Sequence, residues 1–345
     1  INHHTFTPYI NITYTAYKMS QKKIELYSPQ YFAACAAGGV VSCGVTHGLM
    51  TPLDLVKCNA QTNPKVFPGA IAGLKVIYSG QATHLGFGSG LSGLAKGWAP
   101  TFVGYGLQGL CKFGFYEYFK HYYGSFFSKE DEKKYKDLIW ASASASAELI
   151  ADIALCPFEA VKVRVQTSPE FAKGMADGLP KMIAEGGFGT LYAGLVPLWA
   201  RQVPYTIIKF VAFERIAEAI YARLPKKKED MTKTEQMGVV FAAGYLAGIL
   251  CGIVSHPADT MVSKINKIKS EGSVGEKMKL IYNGTAEKGV AGQPGYQPAV
   301  KGIGFAGLWA GLGPRVVMIG TLTGLQWFAY GAFKTAVGLP APGGK

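Results

Sequence analysis

Charged residues are scarce in this sequence of 345 amino acids. They make up 17% of the chain, whereas hydrophobic residues make up 49%. An ordinary soluble domain has about a quarter of its residues charged. The 44 glycines show no collagen-like period, and glycine is commoner in membrane helices than in soluble ones. The composition therefore argues against an ordinary soluble domain and favours a membrane protein.

Acidic residues are the scarcer of the two charge types. The chain has 22 Asp and Glu residues against 35 Lys and Arg residues, which gives a formal net charge of +13. This excess suits a protein that handles anions or lies among anionic lipids. The basic residues are spread along the chain and form no patch, so binding to nucleic acid is not predicted.

Patterns for metal binding and enzyme catalysis are also missing. None of the six cysteines forms a CxxC pair, and four of them lie inside apolar runs. Neither a zinc site nor a disulfide framework is therefore predicted. The sequence contains no P-loop and no nucleophile–base–acid set. We predict that the protein is not an enzyme and has no cofactor.

A short motif recurs three times at a period close to one hundred residues. Each copy reads Pro-x-[Asp/Glu], and the prolines Pro52, Pro157 and Pro257 are 105 and 100 residues apart. The first two copies continue with a lysine three residues after the acid, whereas Val262 stands at that position in the third copy. One copy would be a weak signal, but three at a constant period predict a repeat architecture.

Two apolar runs accompany each copy of the motif, one ending at it and one following it. About 20 helical residues cross the hydrocarbon core of a membrane, and only helices or closed barrels can span it. We predict an all-α membrane protein with six transmembrane helices in three pseudo-symmetric repeats. The predicted spans are Leu26–Leu53, Trp98–Phe119, Leu138–Phe158, Pro197–Ile220, Gln236–Ala258 and Pro314–Phe333.

Amphipathic segments lie between the spans of each pair and predict short helices on the membrane surface. They are Ala70–Tyr78, Gly174–Ala184 and Gly275–Tyr282. Two glycine-rich stretches, Gly80–Gly93 and Gly284–Gly304, are predicted to be loop insertions. The resulting division is an N-terminal extension of the mature protein at 1–28, repeats at 29–125, 126–228 and 229–338, and a C-terminal tail at 339–345.

The repeated motif resembles that of the mitochondrial carrier family from about Tyr31 onward. Further motifs support the resemblance, namely Leu94–Trp98, Glu185-Gly186 with Tyr192–Gly194, and Leu308–Gly311. The resemblance implies the carrier fold, a multi-pass location in the mitochondrial inner membrane, and amphipathic helices on the matrix side. It also implies that the membrane lipid cardiolipin binds at the N-termini of the even-numbered helices, where backbone amides favour anions.

The sequence is most similar to the branch of this family that carries inorganic phosphate. The similarity includes Thr46-His47, Gln108–Glu117 and Arg201–Tyr205, together with the missing base at Val262. It implies import of phosphate into the matrix with a proton, or against hydroxide, by alternating access. Two alternatives remain open: transport of another small anion such as a dicarboxylate, and a structural role docked to a respiratory or ATP-synthase complex.

The resemblance also implies two networks of ion pairs that close the carrier on opposite sides. The matrix network would pair Asp54 with Lys162 and Asp259 with Lys57, leaving Glu159 without a partner from the next repeat. Its remaining members are the motif glutamines, Gln61 and Gln166. The cytoplasmic network follows a [Phe/Tyr]-[Asp/Glu]-x-x-[Lys/Arg] pattern and comprises Glu117, Lys120, Glu214 and Lys334.

The cytoplasmic pattern is incomplete in two of its three copies. Ala217 stands at a basic position and Gly331 at an acidic one. We therefore expect that only Glu214 and Lys334 can pair across repeats. On this basis the matrix network is predicted to be the stronger one, so that the resting state opens toward the intermembrane space.

Charged side chains inside membrane spans are costly and usually functional. Lys112 and Arg201 are predicted to bind phosphate, since a lysine supplies a point charge and an arginine binds oxyanions with two parallel hydrogen bonds. Gln108 and Gln202 are predicted to donate further hydrogen bonds. Arg315 is a further candidate that lies nearer the start of its helix.

The proton requires a group that titrates near neutrality. Glu148 would do so in a desolvated site, and His47 with little shift. We predict that both couple the proton to transport. Two alternatives stay open: His47 as a hydrogen-bonded packing residue, and Asp152 as a residue bonded only to its helix neighbours.

Overall fold

A computed structural model describes residues 24–62, 65–67, 69–265, 274–285, 300–309 and 312–343. The predicted extension at 1–28 and the insertion at 284–304 lie largely outside these residues. The side chains of Gln61, Asp259 and Val262 also lie outside what is described. The proposed division of the chain into repeats at 29–125, 126–228 and 229–338 stays a prediction.

Six long helices dominate the described part of the chain, in agreement with the predicted fold class. They are α1 (Pro29–Thr62), α2 (Trp98–Gly124), α3 (Lys136–Thr167), α4 (Leu195–Arg223), α5 (Lys233–Ile265) and α6 (Leu312–Ala336). Among the described residues, α1, α3, α5 and α6 are long and apolar enough to cross a membrane. Helices α2 and α4 have 27 and 29 residues, enough to cross about 30 Å of hydrocarbon at 1.5 Å per residue. They are more polar because they carry several of the buried charges.

The six helices form a closed ring. Each packs against the next along the chain, and α6 packs against α1. Because successive spans cross the membrane in opposite directions, the odd helices run one way and the even helices the other. Pro52, Pro157 and Pro257 lie inside α1, α3 and α5. A proline inside a helix removes a backbone hydrogen bond and bends it.

The predicted surface helices are present in all three positions. The first spans Ala70–Tyr78, the second Met175–Gly186 and the third Val274–Asn283. The short helices between the spans are Thr83–Leu85, Gly90–Leu94, Lys129–Lys134, Gly189–Tyr192, Lys228–Asp230 and Gly304–Leu308. Part of the first predicted insertion is therefore helical. At the second, the two-residue strands Gly284–Thr285 and Val300–Lys301 pair in antiparallel orientation.

Small residues let neighbouring helices approach closely, as the spacing of glycines in the spans predicts. At Gly248 of α5, an added Cβ would lie 2.8 Å from the Cα of Gly320 on α6. Helices α1 and α2 are even closer, since a Cβ at Gly39 would lie 2.0 Å from the carbonyl oxygen of Gly109. These contacts bring backbone directly against backbone.

A layer of buried aromatic side chains joins the three even helices. The rings of Phe213 on α4 and Trp327 on α6 are stacked with centroids 3.5 Å apart. Phe113 on α2 lies 5.4 Å from the ring of Trp327 and 4.2 Å from that of Tyr330. Along α2 and α4, these aromatic residues lie between the mid-span lysines, Lys112 and Lys209, and the acids of the cytoplasmic network, Glu117 and Glu214.

Candidate functional site

A buried ion pair lies at the middle of α2 and α3. The Nζ of Lys112 is 2.8 Å from Oε2 of Glu148, and both side chains are at most 4% exposed. Lys112 and Glu148 belong to helices that pack along their length. A charge pair this deeply buried costs desolvation that its mutual attraction only partly offsets. Such a pair is therefore better evidence of function than of stability.

Gln108 ties a second carboxylate into this cluster. Its Nε2 donates to Oε1 of Glu148 at 3.0 Å and to Oδ1 of Asp152 at 3.1 Å. Gln108 and Asp152 are both buried. Asp152 therefore faces a partner on α2, and the alternative that it bonds only to neighbours on its own helix is wrong. The cluster holds two carboxylates and one lysine.

A second polar cluster joins α1, α4 and α6. The Nζ of Lys209, which is 2% exposed, donates to Oε1 of Gln326 at 3.2 Å. The Nε2 of Gln326 lies 3.2 Å from Nδ1 of His47. Lys209 is thus bonded to a neutral amide, whereas Lys112 is paired with a carboxylate. Lys209 and Gln326 were not among the predicted ligands, although the charge of Lys209 inside a span is a signal that could have selected it.

The ring of His47 is held on several sides. Its Nδ1 is 3.1 Å from the carbonyl oxygen of Cys43, and the ring is stacked on Tyr105 with centroids 3.8 Å apart. Nδ1 donates to that carbonyl in one tautomer and accepts from Gln326 in the other. The Nζ of Lys162 lies 5.1 Å from the centroid of the Tyr105 ring. Tyr105 thereby connects the central clusters to the matrix network.

The remaining predicted ligands lie on α4 and α6. Arg201 is exposed and Gln202 is half-buried. An arginine within a membrane span faces a water-filled cavity in preference to lipid. Arg315 lies at the start of α6, where its guanidinium nitrogen is 3.4 Å from Oγ of Ser255. Gln108 and Lys112 thus contact the same carboxylate, Glu148, whereas Arg201 and Gln202 lie on α4.

The matrix network contains one of the two predicted cross-repeat pairs within the described side chains. The Nζ of Lys162 is 3.2 Å from Oδ2 of Asp54 and 3.5 Å from Oε2 of Glu159. Gln166 is buried, and its Nε2 donates to the carbonyl oxygen of Lys96 at 3.4 Å. The proposed partner of Lys57 is Asp259, whose side chain lies outside the described part of the chain, as does that of Gln61.

The cytoplasmic network differs from the predicted one. Lys120 is 3.4 Å from Glu214, and Lys334 is 3.7 Å from Glu117. Lys120 also lies 3.1 Å from Glu117 on its own helix. The prediction that only Glu214 and Lys334 could pair across repeats is therefore wrong. The expectation of a weak cytoplasmic network, and of a resting state open to the intermembrane space, loses its basis.

Helix direction explains the error. Each residue turns an α-helix by about 100°, so a base three residues after an acid is displaced about 60° backward around the axis. Odd and even helices are antiparallel. The base is therefore displaced toward one neighbouring helix on the odd helices and toward the neighbour on the other side on the even helices. An acid of α1 therefore faces a base of the next repeat, whereas an acid of α2 faces a base of the preceding one. Seen this way, Glu117 pairs with Lys334 and Glu214 with Lys120.

Lys120 is expected to stabilise the cytoplasmic network strongly, because it contacts two carboxylates while being 12% exposed. Replacing one partner of a buried ionic network typically costs about 3–5 kcal/mol. We expect Lys120→Gln to lower the unfolding free energy by that order, measured by thermal unfolding of purified protein. Lys129→Gln, at an exposed lysine nearby, is the matched control and should change little. Equal stability of the two variants would contradict the described network.

The fold agrees with comparisons to known proteins. Residues 28–127, 136–223 and 233–339 match the family model of the mitochondrial carrier protein. The chain belongs to the mitochondrial carrier family.

Several relatives are similar over most of the chain. One is the "Probable mitochondrial phosphate carrier protein" of Schizosaccharomyces pombe, 50% identical over 94% of this chain and 96% of the relative. Mitochondrial phosphate carrier protein 3 of Arabidopsis thaliana is 51% identical over 94% of this chain and 78% of the relative. Solute carrier family 25 member 3 of Homo sapiens is 46% identical over 93% of this chain and 81% of the relative.

Proposed function

We propose that this protein is a multi-pass carrier of the mitochondrial inner membrane that imports inorganic phosphate together with a proton by alternating access. The observation that carries the proposal is the buried cluster of Lys112, Glu148, Gln108 and Asp152. Membership of the carrier family and the names of the relatives support phosphate as the substrate.

Phosphate would bind between α2 and α4. Lys112 and Lys209 are the buried cations of these helices, and two lysines can balance the charge of a divalent oxyanion. Gln108 would donate a further hydrogen bond from α2 after it releases Glu148 or Asp152, which accept from its amide in this structure. Arg201 and Gln202 would complete the site from α4, where an exposed guanidinium can reach into the water-filled cavity.

Proton coupling would arise from competition for Lys112. A phosphate that binds this lysine removes the cation from Glu148, whose oxygen lies 2.8 Å away in the ion pair. A buried carboxylate without a cation is stabilised by taking up a proton. Asp152 is a second acceptor for that proton, because it shares the amide of Gln108 with Glu148. Proton uptake at this pair would thereby accompany phosphate binding.

The two ionic networks would open in turn. Opening toward the matrix requires Lys162 to leave Asp54, and opening toward the intermembrane space requires Lys120 to leave Glu214. His47 is placed between the central site and the matrix side, since it stacks on Tyr105 beside Lys162. We propose that His47 passes the proton onward, with Gln326 holding its ring.

Cardiolipin is proposed as a lipid partner. A cavity of about 420 Å³ lies between α3 and α4, and Arg164 and Gly194 are among the residues that line it. Gly194 is the residue before the first turn of α4, so backbone amides of that turn are available to a phosphate group. The positive charge of Arg164 adds to this attraction.

Uptake of labelled phosphate into liposomes that contain the purified protein tests the proposal. We expect an inward proton gradient to stimulate uptake, and Asp152→Asn to weaken that stimulation while phosphate exchange at equal pH persists. Asp177→Asn, at an exposed acid on the surface helix Met175–Gly186, is the matched control. Uptake of a labelled dicarboxylate in place of phosphate would favour the other anion, and a folded protein without any transport would favour a structural role.

A further inference from the structure

The C-terminal end of the described chain folds back across the cytoplasmic network. We call residues 337–343 the C-terminal strap. The strap follows directly after α6, which ends at Ala336, and its second residue, Gly338, has a φ of +80° in the left-handed region. The amide of Leu339 donates to the carbonyl oxygen of Lys334 at 2.8 Å, and that of Gly338 to Thr335 at 3.3 Å. These two bonds define a Schellman turn, which reverses the chain direction after a helix.

The strap is packed, not merely adjacent. Leu339 and Ala341 are 4% and 3% exposed and belong to the main apolar cluster of the bundle. Lys228, in the connection between α4 and α5, donates from Nζ to the carbonyl oxygen of Ala341 at 3.0 Å and to that of Gly343. Its ammonium group also lies 5.3 Å from the centroid of the Tyr221 ring. Side-chain burial and hydrogen bonds therefore hold the strap at both ends.

The position of the strap coincides with the missing third ion pair. The pairs Lys120–Glu214 and Lys334–Glu117 join α2 to α4 and α6 to α2. In both pairs, an acid of one even helix faces a base of the preceding repeat. The third pair by this rule would join an acid at position 331 of α6 to a base at position 217 of α4, but these residues are Gly331 and Ala217. Among the described side chains, the cytoplasmic network therefore has no ion pair between α4 and α6.

The strap contacts both of these uncharged positions. A Cβ added at Gly343 would lie 2.7 Å from the Cβ of Ala217. A Cβ added at Gly331 would lie 3.2 Å from Cδ of Pro342. Ala217 is fully buried. A lysine at 217 and a glutamate at 331 would need the volume that the strap occupies.

We propose that the C-terminal strap, held by Lys228, takes the place of the third cytoplasmic ion pair and keeps α4 and α6 together when this side is closed. The strap must then leave Ala217 and Gly331 each time the carrier opens toward the intermembrane space. This inference rests on the proposed carrier function. It adds a gate element that the charge pattern of the helices does not contain.

A native thiol reports on this gate. Cys35 is fully buried, and its thiol lies among Tyr31, Tyr330, Glu117 and Lys334. Labelling of Cys35 by a membrane-impermeant thiol reagent, quantified by mass spectrometry without phosphate present, measures how often this side opens. In a chain that ends at Gly338, we expect labelling about 5-fold faster or more, the factor that follows from losing ~1 kcal/mol of closed-state stability.

A restored ion pair distinguishes a specific effect on the cytoplasmic gate from a general loss of stability of the helix bundle. In the shortened chain, Ala217→Lys with Gly331→Glu should return labelling of Cys35 to the slow rate, because the strap no longer lies against these two positions. The same two substitutions in the full-length chain should displace the strap and should not slow labelling. Unchanged labelling in the shortened chain, or no recovery with the restored pair, would overturn the proposal.

A second variant tests the proposal without the shortened chain, in case that chain does not fold. Lys228→Gln removes the charged donor to Ala341 and Gly343, whereas Lys227→Gln changes an exposed neighbour. We expect faster labelling of Cys35 in the first variant only, and equal rates in both would contradict the role of the strap. Phosphate uptake by the unaltered protein in the same liposomes tests the proposed function separately, since labelling does not depend on the substrate.

Discussion

Lys112→Met is expected to abolish proton-stimulated phosphate uptake and to destabilise the folded protein by about 3–5 kcal/mol. The stability loss follows because Glu148 is fully buried and would keep a carboxylate without its cation. The transport loss follows because the proposed site loses a cation of α2. Uptake into liposomes and thermal unfolding in detergent measure the two effects on the same preparation.

The double variant Lys112→Met with Glu148→Met separates these effects. Replacing both members of a buried ion pair by apolar residues is often neutral or stabilising. We therefore expect the double variant to recover most of the stability of the unaltered protein while uptake stays absent. Recovery of uptake along with stability would show that the pair is structural, and the proposed mechanism would fail.

Gly39→Ala is expected to disrupt the packing of α1 against α2. The added Cβ would lie 2.0 Å from the carbonyl oxygen of Gly109, and backbone cannot move aside as a flexible side chain can. Overpacking of this kind costs about 3 kcal/mol, and the displacement of α1 from α2 would disturb the central site. Gly106→Ala is the matched control, because its nearest neighbour would be a Val40 methyl group at 3.5 Å.

The yield of folded protein after purification, followed by thermal unfolding, measures this effect. We expect Gly106→Ala to purify like the unaltered protein and Gly39→Ala to be recovered poorly or to unfold at a clearly lower temperature. Equal behaviour of the two variants would mean that the close approach of α1 and α2 is not required in the folded carrier.

Most of the architecture could be predicted from the sequence because membrane helices follow simple rules. Long apolar runs predict the spans, and the segment Ala70–Tyr78 has the bounds that its amphipathic pattern predicts. The helix near Gly174–Ala184 differs only at its ends. Such elements depend on local sequence and on the thickness of the bilayer, so a single chain contains the necessary information.

The contacts of the site were harder to predict because they depend on how distant segments are oriented. Gln108 meets Asp152 across 44 positions in sequence, and Lys209 meets Gln326 across 117. The sequence shows that these side chains are polar and inside spans, but not which way they face. The predicted pairing in the cytoplasmic network was wrong for the same reason. The motif shows which residues are charged but not the direction in which the helix runs.

The six helices differ in polarity, and this difference affects how easily each one inserts into the membrane. Helices α2 and α4 carry Lys112 and Lys209 near their middles, and neither is among the four described helices whose length and apolar composition suit a membrane span. A lysine at the centre of a span costs about 2.5–3.5 kcal/mol to insert. Because Lys112 is paired with Glu148 of the next span, α2 and α3 would enter the bilayer most easily when they do so together. The charges proposed to serve transport would therefore also couple the insertion of helix α2 to that of helix α3.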